Sequence, residues 1–237
     1  MTTALTLTAH RLLWPDRISG PGWVTVDGGR IVGVGVGRPL GTSVDLGDTL
    51  LTPGFLDLHC HGGGGAAFTA GADAARRVIT THVRHGATSV MASLVTDRLD
   101  TLAGQVRPLI PLVDAGELLG IHLEGPWLSE QHCGAHDPAL LRAPDPAEVG
   151  RLLDAGEGRI RMVTLAVERP GGLDSVRLLA ERGVIAALGH SHADHAEAVA
   201  AIAAGTRVGT HLFNAERGIH HREPGPIPAL LADPRVI

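Results

Sequence analysis

The 237-residue sequence predicts an α/β protein: an incomplete TIM-type (β/α) barrel with about six of the eight strands, preceded by a small N-terminal β domain. Two observations predict this fold. Short apolar runs alternate with longer amphipathic stretches from residue 52 onward, and alternating strands and helices form a parallel sheet with right-handed crossovers. Four of the apolar runs end in histidine or glutamate, at the strand ends where such barrels build their active sites.

Residues 1–51 are predicted to form the small β domain. Apolar and polar residues alternate there in short runs that are separated by glycine or Asp-Gly turns, a pattern typical of hairpins. Asp27-Gly28 is the clearest of these turns, because Asp-Gly favours the backbone conformation of a tight hairpin loop. We therefore predict paired strands on either side of it.

Residues 52–237 are predicted to form the partial barrel. Its apolar runs are rich in Val, Ile, Leu and Ala, as expected for strands that helices cover. Asp145 and Ser191 are expected to start helices, while His192 and His195 are expected on the solvent-facing side of the last helix. The predicted strands are 55–59, 89–95, 118–124, 162–167, 184–189 and 208–212, and the predicted helices are 72–85, 98–112, 146–155, 173–182 and 193–204.

The predicted barrel does not close within the sequence. A complete barrel takes roughly 250 residues, and Val236-Ile237 has the pattern of the opening of a seventh strand. We therefore expect a truncated chain in which the first and sixth barrel strands are open edges, which are liable to aggregate.

Composition limits the classes of partner and compartment. The net charge is −5 without a basic cluster, which argues against a nucleic-acid partner. The chain has no apolar run long enough to span a bilayer, and its first residues lack the pattern of a signal peptide. Two cysteines form no disulfide framework. We therefore expect a cytoplasmic protein with no membrane partner.

His59 and His61 form an H-x-H motif at the end of the first barrel strand. Side chains two apart on a strand point to the same face, so both imidazoles can approach one cation. Histidine nitrogen is a common ligand of zinc and related divalent metals. Alone the motif is a weak signal, because two polar residues in a turn give the same pattern.

Three further strand ends carry an acid or an imidazole. Glu124, His190 and His211 end the third, fifth and sixth predicted strands, and this set would hold one divalent ion with a position open for water. Each histidine taken singly is more simply a structural residue. The chain has no lysine, which excludes hydrolases whose two metals share a carboxylated lysine, and leaves Glu124 as the strand-end acid placed to substitute.

Longer motifs surround these residues. They are P-G-F-L-D-L-H-C-H-G at 53–62, H-L-E-G-P-W-L at 122–128, G-A-H-D-P at 134–138, L-G-H-S at 188–191, T-H-L-F-N-A at 210–215 and R-E-P-G at 222–225. In order and spacing the sequence resembles the N-acetylglucosamine-6-phosphate deacetylase family of the amidohydrolase superfamily, from about residue 51 onward. The most specific motif is H-L-E-G-P-W followed by G-x-H-x-P.

The resemblance implies metal ligands at five positions. Glu124, His190 and His211 would be the principal ligands, and His59 and His61 would serve a second ion. The ion would be divalent, with zinc the leading candidate, although His and Glu ligands also accept iron, cobalt or manganese.

The resemblance also implies a small-molecule sugar phosphate as substrate. His136 in the loop Gly134-Ala135-His136 would contact the amide carbonyl, while Asn214 and Ala215 would hold the sugar and phosphate region. Arg222 would pair with the phosphate, since a guanidinium fork matches phosphate oxygens. Without the resemblance, a solvated loop arginine is an equally good interpretation of Arg222.

The implied reaction hydrolyses the N-acetyl group of N-acetylglucosamine 6-phosphate to glucosamine 6-phosphate and acetate. The metal lowers the pKa of water, and a carboxylate passes a proton to the departing amine. In the family this carboxylate is an aspartate on the eighth strand, expected beyond Ile237, so we expect little or no turnover from residues 1–237. Family members are commonly dimers that share the phosphate site, which implies a homodimer for a full-length protein.

Two other classes of function stay open. One is another lysine-free amidohydrolase, deaminase-like or D-aminoacylase-like. Deaminases share H-x-H and later histidines, but not H-L-E-G-P followed by G-x-H-x-P or the R-E-P-G loop. A truncated remnant would bind metal or sugar phosphate without catalysis.

The sequence also departs from the family at Glu216, where methionine is usual, and in the loop 217–221.

Overall fold

The computed structural model describes residues 4–237, which divide into two compact units, one that ends at Gly54 and one that begins at Phe55. Each unit has its own strands, and the parallel sheet lies wholly in the second. Within residues 4–237, no helix combines the length and the apolar character needed to cross a membrane.

The first unit consists of short strands in two sheets, with strand orders β5-β4-β1-β6 and β3-β2-β7. The predicted hairpin is confirmed, since β4 and β5 pair antiparallel around Asp27-Gly28-Gly29. Gly28 and Gly29 have φ values of 54° and 74°, which glycine adopts at little cost. The strands are β1 (Leu5–Ala9), β2 (Arg11–Leu13), β3 (Ile18–Ser19), β4 (Gly22–Asp27), β5 (Arg30–Val36), β6 (Val44–Asp45) and β7 (Leu50–Leu51).

The second unit is a half-barrel built on a six-stranded sheet of order β15-β14-β13-β12-β11-β8, in which all neighbours are parallel. This confirms the predicted fold class. Two short strands, β9 (Gly62–Gly63) and β10 (Ala66–Ala67), form a separate hairpin. The sheet strands are β8 (Phe55–Cys60), β11 (Ala87–Val95), β12 (Gly120–Glu124), β13 (Ile160–Leu165), β14 (Ile185–Leu188) and β15 (Thr206–Gly209).

The last residue makes two backbone hydrogen bonds with the edge strand β15, although residues 236–237 are not themselves assigned to a strand. The Ile237 amide donates to the Arg207 carbonyl at 2.9 Å, and the Gly209 amide donates to the Ile237 carbonyl at 2.8 Å. Ile237 therefore pairs with β15 along the edge that was expected to be open.

The helices follow the predicted order, with three differences, one of which is a helix over Ile227–Ala232 that was not predicted. The predicted helix 98–112 is broken because Pro108 and Pro111 lack the amide hydrogen that a continuous helix needs. Asp194, not Ser191, starts the last predicted helix, through a capping box with Glu197. The helices are α1 (Ala72–Arg84), α2 (Leu99–Val106), α3 (Ile110–Asp114), α4 (Pro146–Ala155), α5 (Gly172–Glu181), α6 (His195–Ala204) and α7 (Ile227–Ala232).

The parallel sheet has an apolar cluster on each face. The larger cluster contains Leu123 and Leu179 and fills the space between strands and helices. The smaller one, Met91, Met162 and Ala187 with Leu58, Ile185 and Val208 packed against it, fills the inner face. Residues two positions further along a strand face the same side. The inner cluster therefore lies below the residues that end the strands.

Candidate metal and substrate site

A cavity of about 810 Å³ opens at the C-terminal ends of the parallel strands. It gathers every site residue predicted from the sequence except Arg222. Its lining residues are His59, His61, Val95, Thr96, Glu124, Gly134, Ala135, His136, Asp137, His190, His211, Asn214 and Ala215.

Glu124 lies at the centre of this cavity, at the end of β12, with its side chain only 4% exposed. Its Oε1 atom lies 3.2 Å from the Nε2 atom of His190 and 3.3 Å from that of His211. The two Nε2 atoms are 2.9 Å apart. One carboxylate oxygen and two imidazole nitrogens thus form a compact set of donor atoms that could hold a metal ion.

A second set of donor atoms surrounds the other carboxylate oxygen. Glu124 Oε2 lies 3.3 Å from His59 Nε2 and 3.0 Å from His61 Nε2, and these nitrogens are 3.0 Å apart. Both imidazoles come from the end of β8, where the H-x-H spacing brings them together. The Glu124 carboxylate therefore stands between two groups of ligand atoms, and each group could hold one ion.

Backbone carbonyls select the tautomer of three imidazoles. A carbonyl oxygen can only accept a hydrogen bond, so each Nδ1 atom beside one carries the proton. A neutral ring then has its lone pair on Nε2, which suits metal ligation. The Nδ1 atom of His61 donates to the Ser93 carbonyl at 3.1 Å, that of His190 to the His132 carbonyl at 2.8 Å, and that of His211 to the Asn214 carbonyl at 3.0 Å.

These lone pairs point at carboxylate oxygens, which are also acceptors. Acceptors at 3.0–3.3 Å are stabilised only when a cation lies between them, either a proton or a metal ion. Burial raises the pKa of the Glu124 carboxyl group, but hydrogen bonds from surrounding imidazoles outweigh it and hold this pKa well below its ordinary value. Hydrogen bonding to Glu124 raises the pKa of His61 and His211. The carboxylate oxygens and imidazole nitrogens of this cavity therefore fit a divalent cation as ligands.

The backbone is strained where the last two strands end. His190 and His211 have φ values of 48° and 34°, and Phe213 and Ala215 have values of 70° and 51°. Residues other than glycine rarely occupy this left-handed region, and each instance costs about 1–3 kcal/mol. Such strain concentrates at functional sites, and here it aims the two imidazoles at Glu124.

His136 enters the cavity from the loop after β12. Its Nδ1 atom lies 2.7 Å from Thr96 Oγ1, and its Nε2 atom lies 3.4 Å from Glu124 Oε2. Gly134, in the same loop, has a φ of 58°, and a Cβ atom there would come within 3.1 Å of the His190 ring. Glycine thus lets the loop pack directly on a candidate ligand.

A chain of buried hydrogen bonds runs beneath the ligands and was not predicted. His122 Nδ1 lies 2.9 Å from Ser93 Oγ, and its Nε2 lies 2.8 Å from Thr164 Oγ1. Thr164 Oγ1 in turn lies 2.9 Å from Thr210 Oγ1. Burial lowers the pKa of His122 to about 3, so the ring is neutral near pH 7.

The expectation for His192 is wrong. His192 precedes α6, and its Nδ1 atom lies 2.9 Å from His132 Nε2 in the loop after β12. The Glu168 carboxylate holds this segment by accepting from the Ser191 hydroxyl and from the His192 amide, the latter at 2.7 Å. His195 is exposed at the start of α6, as expected.

Asp57, Cys60 and His82 form a further cluster whose donor atoms lie within 4.8 Å of one another. His82 Nε2 lies 3.1 Å from Cys60 Sγ, whereas Nδ1, across the ring, lies 3.8 Å from the Asp57 carboxylate. Burial raises the pKa of the Cys60 thiol, which disfavours the thiolate that metals prefer. These contacts fasten α1 to β8.

Arg222 lies outside the cavity, in the exposed segment between β15 and α7. Its amide donates to His220 Nδ1 at 3.3 Å. Its predicted role at a phosphate therefore stays a prediction.

The fold and the site together define a class of protein: a β/α-barrel protein with a carboxylate and histidines gathered for metal binding at the strand ends. Residues 50–232 match the amidohydrolase family. The chain belongs to this family.

The chain is similar to curated sugar-phosphate deacetylases. The N-acetylglucosamine-6-phosphate deacetylase of Lysinibacillus sphaericus is 34% identical over 76% of this chain and 48% of the relative. The N-acetylgalactosamine-6-phosphate deacetylase of Escherichia coli O157:H7 is 35% identical over 84% of this chain and 54% of the relative. The chain spans about half the length of the curated relatives it matches.

Solved structures agree with the fold. The N-acetyl-D-glucosamine-6-phosphate deacetylase of Mycobacterium smegmatis is 50% identical, with a TM-score of 0.95 over 98% of this chain and 62% of that one. An aspartate-to-alanine mutant of the M. smegmatis enzyme, in complex with N-acetyl-D-glucosamine-6-phosphate, is 49% identical with the same TM-score, over 99% of this chain and 62% of that one.

Proposed function

We propose that residues 1–237 supply the metal and substrate site for hydrolysis of the N-acetyl group of N-acetylglucosamine 6-phosphate, with divalent metal held at Glu124. The observation that carries this proposal is the ring of imidazole Nε2 atoms facing the Glu124 carboxylate in an open cavity. The sugar is the one acted on by the M. smegmatis relative, whose 50% identity exceeds the 35% of the N-acetylgalactosamine-6-phosphate relative.

The ligands would divide between two ions, with one oxygen of the Glu124 carboxylate in each group of ligand atoms. Glu124, His190 and His211 would hold the principal ion, and His59 and His61 the second. When bound, such an ion supplies positive charge that acidifies water and polarises an amide carbonyl. Zinc suits imidazole and carboxylate ligands and is the ion that we propose.

His136 would orient the amide. The Thr96 hydroxyl can donate to Nδ1 at 2.7 Å, which leaves the proton on Nε2, beside Glu124. An Nε2–H group in the cavity can donate to the acyl oxygen of the substrate. This bond strengthens as negative charge develops on that oxygen, so His136 would favour the transition state over the bound substrate.

The sugar phosphate would lie across the loops at the mouth of the cavity. Gly134, Ala135, Asn214 and Ala215 all line this cavity. Arg222 would supply the guanidinium fork for the phosphate from the neighbouring exposed segment. A homodimer that shares the phosphate site and a cytoplasmic location belong to the same proposal.

The test is the affinity of the zinc-loaded protein for a phosphonamidate analogue of the substrate. Tetrahedral phosphorus replaces the acetyl carbon in this compound, and hydrolases bind such transition-state analogues at least about 10²-fold more tightly than substrates. Isothermal titration should show this preference for the analogue over N-acetylglucosamine 6-phosphate. Equal affinities would indicate a sugar-phosphate-binding protein without a hydrolytic site and would overturn the proposal.

A further inference from the structure

We propose that His122 is a positioning residue, the centre of a buried hydrogen-bonded chain that holds the strand ends and their metal ligands in place. The chain consists of Ser93, His122, Thr164 and Thr210, joined by contacts of 2.8–2.9 Å, and no member is more than 3% exposed. It crosses from β11 through β12 and β13 to the end of β15. This inference rests on the proposed metal site.

The hydrogen-bonded chain lies in its own layer of the half-barrel. Met91 and Met162, in the apolar inner cluster, come two residues before Ser93 and Thr164 on the same strands. Glu124 comes two residues after His122 on the same face. A polar layer therefore separates the apolar inner cluster from the layer of ligands.

The chain is connected to the first two ligands through Ser93. The Cys60 amide, between His59 and His61, donates to Ser93 Oγ at 3.1 Å. The carbonyl oxygen of the same serine accepts from His61 Nδ1 at 3.1 Å. The His122 ring also stands edge-on to the His59 ring, with centroids 4.8 Å apart.

The chain reaches the last two ligands through Thr210. Thr210 precedes His211 in the sequence, so its hydrogen bond to Thr164 fixes the backbone that presents this imidazole. Gly189, which precedes His190, packs so closely on Thr210 that a Cβ atom there would lie 2.5 Å from the threonine Cβ. Each of the five candidate ligands therefore lies next to a residue that belongs to the hydrogen-bonded chain or packs against it.

His122 suits this place because a neutral imidazole has one donor and one acceptor on opposite sides. Each nitrogen meets a hydroxyl group, which can take either role, so both ring nitrogens are satisfied without water. A leucine would break the chain at its centre. Glutamine, with an amide that also donates and accepts, could restore it in part.

The test compares His122→Leu and His122→Gln with the wild-type protein. The zinc dissociation constant is measured by competition with a chromophoric chelator, and the visible spectrum of the cobalt-loaded protein reports ligand geometry. Loss of groups that orient ligands costs about 10–100-fold in metal affinity. We expect that loss and an altered cobalt spectrum for His122→Leu, and most of the affinity regained with His122→Gln.

Two further variants separate positioning from general destabilisation. Leu179→Ala removes a buried side chain of α5 from the larger apolar cluster, on the face of the sheet away from the hydrogen-bonded chain, and it should lower the melting temperature while it leaves the zinc affinity within about threefold of wild type. Thr164→Val removes one of the three hydroxyl groups of the hydrogen-bonded chain with little change of shape, and it serves if His122→Leu does not fold. Loss of zinc affinity in Leu179→Ala equal to that in His122→Leu would overturn the inference, as would wild-type affinity in both His122→Leu and Thr164→Val.

The same titrations distinguish this inference from the proposed function. A folded wild-type protein that binds no zinc contradicts the metal site itself. Zinc binding by the wild type that none of the chain substitutions weakens contradicts only the role of His122.

Discussion

Thr96 and His136 are joined by a 2.7 Å hydrogen bond between two buried side chains. Thr96 follows β11, whereas His136 lies in the loop after β12. The bond therefore ties a loop that lines the cavity to the sheet. It also orients the His136 ring so that its Nε2 atom is the one that approaches Glu124.

Thr96→Val should weaken binding of N-acetylglucosamine 6-phosphate by about tenfold, because a buried nitrogen of His136 loses its partner at a cost of about 1–3 kcal/mol. Glucosamine 6-phosphate lacks the acetyl group that His136 would contact, so its affinity should stay within about twofold of wild type. Isothermal titration of the zinc-loaded protein measures both. Thr96→Ser is the matched control, and equal losses for the two sugars would contradict the role of His136.

The two sets of ligands should be separable by substitution. We expect two zinc ions in the wild-type protein, one after the double substitution His59→Asn and His61→Asn, and none after Glu124→Ala. The reason is that each carboxylate oxygen of Glu124 faces one pair of imidazoles. Metal counting by mass spectrometry after desalting checks this, and two ions retained by Glu124→Ala would exclude a shared carboxylate.

Arg222→Ala should lower the affinity for N-acetylglucosamine 6-phosphate by roughly tenfold, since hydrogen bonds to charged groups contribute about 1.5–3 kcal/mol. The affinity for N-acetylglucosamine itself should not change. Arg84→Ala removes the same charge from α1 and is the control. An equal effect of Arg222→Ala on both sugars would remove Arg222 from the phosphate site.

Gly189→Ala should destabilise the fold by about 1–3 kcal/mol through overpacking. The added Cβ would lie 2.5 Å from Thr210 Cβ and 3.1 Å from Thr164 Cγ2. Gly104→Ala is the opposite case, since a Cβ there meets nothing within 4 Å and α2 should gain about 0.5–1 kcal/mol. Urea unfolding measures both, and a Gly189→Ala protein as stable as wild type would show that the strand ends can move apart.

Much of the fold could be predicted because each parallel strand is an apolar run bounded by turn residues. Prediction failed where single residues override a periodic pattern. Pro108 and Pro111 break a stretch that otherwise has helical periodicity. Ser191 resembles a helix start, but its hydroxyl donates to Glu168, a tertiary contact that sequence spacing cannot show.

The grouping of the candidate ligands could be predicted because parallel strands bring their C-terminal ends to one edge. The contacts of Ser93, Thr96 and Thr164 in the site could not be predicted, since a lone hydroxyl residue in or after a strand has no pattern that distinguishes it from an ordinary strand residue. His122 stands in the motif H-L-E-G-P, but only the structure shows its hydrogen bonds. The left-handed backbone at His190 likewise depends on tertiary contacts.

The most direct test of the central claim is the affinity for N-acetylglucosamine 6-phosphate before and after removal of metal. Isothermal titration would be run on the zinc-loaded protein and on the same protein treated with a chelator, with folding checked by circular dichroism. The site described here predicts binding at least about tenfold tighter with zinc, because the ion at Glu124 would contact the acetyl carbonyl. Equal affinity in the two folded samples would contradict it.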